Sequence, residues 1–272
     1  MRDIRQTFQL AGQNFSGWKR NPRIVITFLL AFVLCLLLSD EVLSYSLRYE
    51  TPLQILEPFI WTYGVPYRLI RTKRSVWLAG QIVYVTAGAV LYNLFLAGVQ
   101  ISFAAAVSFP GNVWSKTAAL LGYGGASKGI IPVSVKTMES VLPYECALQV
   151  FLLMLCYSLF IAAIMLCLNL FIGNAAGVIG AFAVNIYGFL LNPNLFQKLF
   201  QLTENQVYRA NVLCGWLSPL NHATFPMHNF GYDYLPKLRL SIGMFLSVIL
   251  FLLIVSGIKM RTYNFVFMQA DE

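Results

Sequence analysis

His222 and His228 are the chain's two histidines, six residues apart, and Asp233 follows them. Two imidazoles and a carboxylate are a set that can hold zinc. The run from Trp216 to His228 has no H-E-x-x-H pattern, however, and a six-residue step does not bring two rings onto one helical face. No metal ligand and no catalytic residue is assigned on this basis, and the run reads as an aromatic, proline-broken cap. The glycine-rich stretch Gly122-Tyr123-Gly124-Gly125-Ala126-Ser127-Lys128-Gly129 lacks the spacing of a phosphate-binding G-x-x-x-x-G-K-[ST] loop. Any ATP chemistry has to come from another polypeptide.

A second group of polar residues sits in otherwise apolar sequence. Gln81, Tyr84, Gly88 and Tyr92 recur at steps of three, four and four, with Asn93 and Gln100 nearby. That spacing is one face of an α-helix, able to line a translocation path or to hydrogen-bond a neighbouring helix. The stripe carries no charge, which argues against a strongly ionic path along it. Glu57 is the one acid placed at membrane depth or at the adjoining headgroups, and an ionisable group at depth is a functional candidate by default. Gly173, Gly177 and Ala181 repeat a small residue every fourth position beside Ala176-x-x-x-Gly180. Such a stripe lets helices approach closely, within the chain or between subunits. The five cysteines show no disulfide framework, so they are read as free thiols, with a Cys146–Cys214 bridge as the alternative.

The elements that must hold these residues are membrane helices. Hydrophobic residues make up 58% of the 272 and charged ones 11%, against about 25% charged in soluble domains. A crossing needs about 20 mostly apolar residues. Ala147–Gln197 carries no charge and is long enough for two, with Gly173-Asn174 as the turn between them. The predicted fold is an all-α polytopic membrane protein, one domain over 1–272, with six transmembrane helices. They are placed at 24–40, 51–70, 75–100, 146–169, 175–191 and 238–258, with an outer re-entrant or cap segment at 192–236. The segment 51–70 is a poor span, since it contains Glu57, Pro52, Pro58, Gly64 and Pro66. No cleavable signal pattern precedes the first span, which is expected to remain as an anchor.

Charge sets the orientation. Eleven of the nineteen basic residues fall before Ile24, between Arg68 and Arg74, or at Lys259 and Arg261. The positive-inside rule puts all three groups in the cytoplasm, so both termini are inside. The net charge of +8 is thereby membrane orientation and not a nucleic-acid footprint. Within residues 1–20, Ile4, Phe8, Ala11, Phe15 and Trp18 repeat at helical steps while Arg2, Arg5 and Lys19 stay off that face. This is an amphipathic helix lying in the headgroup plane. The basic turn Arg71-Thr72-Lys73-Arg74 with Trp77 then joins two spans.

An in-plane lead, six spans with both ends inside, the turn Arg-Thr-Lys-Arg-x-x-Trp-x-x-x-Gln between spans two and three, and an outer segment before span six resemble the membrane subunit of an ABC-2-type (type V) ABC exporter. The resemblance implies that residues 1–20 form the elbow helix, with Ile4, Phe8, Phe15 and Trp18 on its membrane face. It implies that Arg71, Thr72, Lys73, Arg74 and Trp77 form the coupling turn seated on a cytosolic ATP-binding subunit; Gln81, Tyr84, Tyr92 and Asn93 of the polar stripe are the candidate path lining. ATP and magnesium would then belong to that partner, and a second membrane subunit, identical or related, would complete the pore. The location expected is a cell membrane, that of a bacterial cytoplasm, and the cargo an amphipathic or apolar solute. A stand-alone ion-coupled carrier and an intramembrane enzyme using His222 and His228 are the alternatives.

Overall fold

The computed structural model describes residues 6–9, 11–12, 15, 24–33, 36, 53–54, 74–124, 133–201, 203, 206–231 and 233–262. In chain order, helix α1 (Ile24–Val33) is followed by a two-residue strand β1 (Leu53–Gln54), α2 (Arg74–Ala104), β2 (Ser108–Phe109), α3 (Lys116–Tyr123) and α4 (Val135–Ser140). Then come α5 (Pro143–Phe171), α6 (Asn174–Leu190), α7 (Pro193–Leu199), α8 (Val207–Leu217), α9 (Pro219–Ala223), a 3-10 turn (Phe225–Met227) and α10 (Leu238–Thr262).

Three of these helices are long and apolar enough to cross a membrane: α2 from Leu78, α5 and α10. A fourth crossing is present if α6 and α7 are one span, bent by 69° at the break between them. These helices mark the chain as a membrane protein. Of the expected first span, Ile24–Val33 is a ten-residue apolar helix. Of 51–70, only Leu53–Gln54 lies within the described residues, and it is extended rather than helical, paired in parallel with Ser108–Phe109. That pairing sets Leu53 opposite Ser108, just beyond the end of α2 in the chain. Glu57 and the rest of that segment lie outside the described residues.

Sequence explains where the helices begin and end. Pro143 occupies the first turn of α5, where its fixed φ fits and its missing N–H costs nothing. The Tyr144 N–H finds the Asn112 side-chain oxygen at 3.0 Å, and Glu145 adds an acid to the positive end of the helix. The turn after α5 falls at Gly173, whose φ of +138° suits a residue without Cβ. Asn192 caps α7 by accepting from the Asn194 N–H at 3.1 Å, and Pro193 beside it forces the 69° bend.

Helix α5 is the axis of the bundle, with α10, α6 and α2 packed around it. Residues such as Val150, Leu153 and Ile161 on it are fully buried. Leu78, Leu166, Leu170, Leu253 and Met260 join one end of α2, α5 and α10, and Lys259 lies 5.2 Å over the Phe171 ring there. Among the described residues, the opposite end is covered by 105–124, 133–142, 191–201, 206–231 and 233–237, from which Trp114, Val141, Phe225 and Phe230 pack against the core. Trp114 Nε1–H donates to the Val141 carbonyl at 2.9 Å, and Lys136 forms an ion pair with Asp233 while lying over Phe230. Four of the five cysteines are described, and all four are free thiols. Cys214 donates to the Leu191 carbonyl at 2.8 Å, and Cys146 is packed in the core with Phe225.

The small-residue stripe is used inside the chain. A Cβ on Gly177 would meet the Asn169 amide and the Met165 carbonyl, and one on Gly180 would meet Leu168. Gly177 N–H donates to Asn169 Oδ1 at 3.0 Å, so the close approach of α6 to α5 is fixed by a hydrogen bond as well as by space. Gly177→Ala presses on backbone and a hydrogen-bonded amide, whereas Gly180→Ala presses on the tip of a flexible leucine. We expect Gly177→Ala to destabilise the detergent-solubilised protein by about 1–3 kcal/mol, more than Gly180→Ala, when thermal unfolding of the two is compared.

Candidate functional site

The polar stripe of α2 opens onto a cavity of about 120 Å³ between α1, α2 and α5. Gln81, Tyr84, Gly88 and Tyr92 line it from α2, Ile24, Thr27 and Phe28 from α1, and Ser158, Ala162 and Ala163 from α5. Helix α1 can form this wall because its inward residues, Ile24, Thr27, Phe28 and Ala31, follow steps of three, one and three. Val25, Ile26, Leu29 and Leu30 point outward and are exposed. Aromatic rings tie the wall together. Phe28 meets Tyr92 edge-on at 5.8 Å, and Phe15 of the N-terminal helical residues meets Tyr84 edge-on at 5.1 Å.

The lining holds no charged side chain among the described residues. Ser158 donates to the Met154 carbonyl at 2.8 Å and so is satisfied within its own helix. An apolar cavity of roughly 150 Å³ stays dry and takes up benzene, and this one is slightly smaller. Its chemistry suits a compact apolar group, or part of a larger amphipathic solute, with a few neutral hydrogen-bonding groups at hand. Asn93 is fully buried but lies off the lining. Its amide donates to the Ala89 carbonyl at 2.8 Å and its Oδ1 has no hydrogen-bond partner.

Of the other residues singled out in the sequence, Phe8 is exposed and Ala11 is buried. Ile4, Trp18, Arg71, Thr72 and Lys73 lie outside the described residues. Arg74 and Trp77 fall in the first turns of α2, where the backbone alone is described.

The two histidines do converge, and sequence reasoning missed the residue that joins them. His222 lies in the last turn of α9 and His228 follows the 3-10 turn, so Thr224 and Pro226 take the chain out of a single helix between them. Both rings reach Ser241 in the first turn of α10: His222 Nδ1 lies 2.8 Å from Ser241 Oγ and His228 Nε2 lies 2.9 Å from it. The outer nitrogens face backbone carbonyls, His222 Nε2 to Trp216 O at 3.0 Å and His228 Nδ1 to Phe225 O at 3.1 Å. All three side chains are 0–1% exposed. A hydroxyl between imidazoles has the makings of a nucleophile, but Ser241 is fully buried among the described residues. Among the described residues no group of three metal-ligating side chains forms, and Asp233 is engaged by Lys136.

The cap holding these rings is anchored by local chemistry. Ser218 caps α9 by accepting from Asn221 N–H at 3.3 Å, and its hydroxyl donates to the Gly188 carbonyl at 3.3 Å. Gly188 permits that approach, since a Cβ there would strike Leu220.

The chain matches no protein-family model, no curated protein and no solved structure.

Burial lowers the proton affinity of both imidazoles. Their carbonyl partners oppose this, and Lys136 and the neighbouring ring reinforce it at His228. The unfolded chain therefore binds protons first as pH falls through the ordinary histidine value of about 6.5, and stability is lost on acidification. We expect the melting temperature in detergent to drop between pH 7.5 and 5.5, with the slope flattened in the His222→Gln/His228→Gln double variant. Filling the cavity separates its role from that of the cap. Ala162→Leu should change stability by no more than about 3 kcal/mol, yet abolish retention of a small apolar fluorophore in an equilibrium binding assay.

Proposed function

We propose that this chain is the permease subunit of an ABC-2-type exporter that moves an amphipathic or apolar solute outward. The observation that carries the reading is the cavity between α1, α2 and α5. It lies within the apolar part of the bundle, it is lined by neutral groups, and it borders the helix that begins in the basic turn at Arg74. A solute that is mostly apolar is the cargo such a lining accepts, because burying an unpaired charge there would cost far more than the contacts return.

In this reading the basic end of the bundle faces the cytosol, following the positive-inside rule. Residues 71–77 seat on a separate ATP-binding subunit, which supplies ATP and magnesium, and a second membrane subunit completes the path. Closure of the ATPase pair pushes on the basic turn and on the N-terminal helix, whose Phe15 already touches Tyr84 at the cavity wall. The solute is released when the population shifts to a state that binds it less well on the other side. The membrane is a bacterial cytoplasmic membrane.

A second reading, a carrier that works alone and is coupled to protons, is favoured by one observation: the buried, titratable pair His222 and His228 beside the cap. The two are separated by a mild-detergent pull-down from native membranes followed by an ATPase assay. A nucleotide-hydrolysing subunit should co-purify and be lost when Arg71, Lys73 and Arg74 are changed to Glu. A chain that purifies alone from membranes still competent for transport would overturn the exporter assignment.

A further inference from the structure

Hydrogen counting around Ser241 gives a result that neither histidine shows alone. A carbonyl oxygen only accepts, so the bond to Trp216 O places a hydrogen on His222 Nε2, and the bond to Phe225 O places one on His228 Nδ1. In the neutral state each ring then turns a bare lone pair toward the same hydroxyl, at 2.8 and 2.9 Å. Ser241 has one hydrogen to give and can satisfy one ring. The other contact sets two lone pairs face to face in a site closed to water. One added proton removes the conflict. The protonated ring donates to Ser241 Oγ, Ser241 donates to the other ring, and an unbroken chain of hydrogen bonds runs from the Phe225 carbonyl to the Trp216 carbonyl. A second proton would set like charges on both sides of one hydroxyl, and that arrangement is disfavoured.

We propose that His222, Ser241 and His228 form a binding site for a single proton, shared between the two imidazoles through the Ser241 hydroxyl, and that filling it latches the cap onto the start of α10. The site joins three pieces of chain: α9, the turn after the 3-10 helix, and α10. It stands whether the transport cycle is driven by ATP or by ions.

The surroundings tune the site without competing for it. From α4, Lys136 acts on His228 and is itself paired with Asp233. From α5, Tyr157 is turned to Asn185, and Cys146 is packed in the core with Phe225. From α8, Cys214 is bonded to Leu191 while Arg209 is exposed, and on α6 Tyr187 is exposed. Lys237 and Arg239 at the start of α10 are exposed as well. Around His222 stand the Trp216 and Phe245 rings, 6.5 and 6.4 Å away. Burial among these groups delays proton uptake to a pH below the ordinary histidine range, so the latch is incomplete at neutral pH and closes on acidification. The unfolded chain meanwhile takes up two protons, so local closure and a falling overall stability occur together.

Because the chain has only two histidines, selective ¹⁵N-histidine labelling of the full chain in nanodiscs reads both rings without overlap. At pH 8 we expect the Nε2–H form for His222 and the less common Nδ1–H form for His228. On acidification a single one-proton transition, felt by both rings, should appear below pH 6.5. Ser241→Ala removes the shared acceptor and should move that transition down by roughly one to two pH units. His228→Gln lets the serine serve His222 alone, and should leave His222 neutral across the range. Two independent transitions near 6.5, or no ring transition before the protein unfolds, would overturn the proposal. So would a stoichiometric divalent ion in metal analysis whose removal shifts both rings. Should either variant fail to fold, the count of protons in the unaltered chain decides the matter.

Discussion

The fold rests on helix α5 being apolar on every side. A helix without a polar face has to be surrounded, and α5 is covered by α2, α6 and α10 in turn. In lipid the hydrophobic effect does not drive that covering, because acyl chains satisfy apolar side chains as well as protein does. Close packing and hydrogen bonds have to supply the preference. Here they are specific: Gly177 and Gly180 admit α5 against α6, Asn169 and Tyr157 bond across the same interface, and Phe245 fills the space between α5 and α10 beside Tyr157 and Phe160. Everything of functional interest is arranged relative to this axis. The cavity exists because α5 offers Ser158, Ala162 and Ala163, three small side chains, opposite the polar stripe of α2.

Phe245 links that axis to the cap. It is fully buried, it meets aromatic rings of α5, and it also meets His222. The capped end is therefore not a loose lid over the bundle. Its geometry is read out by α10 one helical turn before Phe245, at Ser241, where both imidazoles converge. Those rings rest on the helix that packs most extensively against α5. The cavity and the cap lie at different levels of the same bundle, and α5 and α10 contribute to both.

Some of this was legible in the sequence. The apolar runs around α2, α5, α6 and α10 were readable because a bilayer imposes a length and composition on anything that crosses it. The turn at Gly173 was readable from its residue type, and its positive φ gives the reason. The spacing of Gln81, Tyr84, Gly88 and Tyr92 identified one face of a helix, and that face lines the cavity. Apolarity alone did not separate α5 from α10, which are nearly alike in composition. Of their most apolar windows, 56% of the first is inside the protein and 17% of the second. Hydropathy reports transfer out of water, and lipid and protein interior look the same to it.

Sequence by itself determined the solvent this chain lives in, the turn at Gly173 and the polar face of α2, since each follows from composition, from local periodicity or from residue chemistry within a few positions. Tertiary structure alone decided what stands opposite. Ser241 lies 19 and 13 residues from the histidines that share it, across a break in helix direction that no periodicity describes. Ser158 and Ala162 meet the stripe of α2 from another helix altogether. The break at Thr224 and the 3-10 turn at Pro226 bring His222 and His228 to one point, although their six-residue spacing on a continuous helix would have kept them apart.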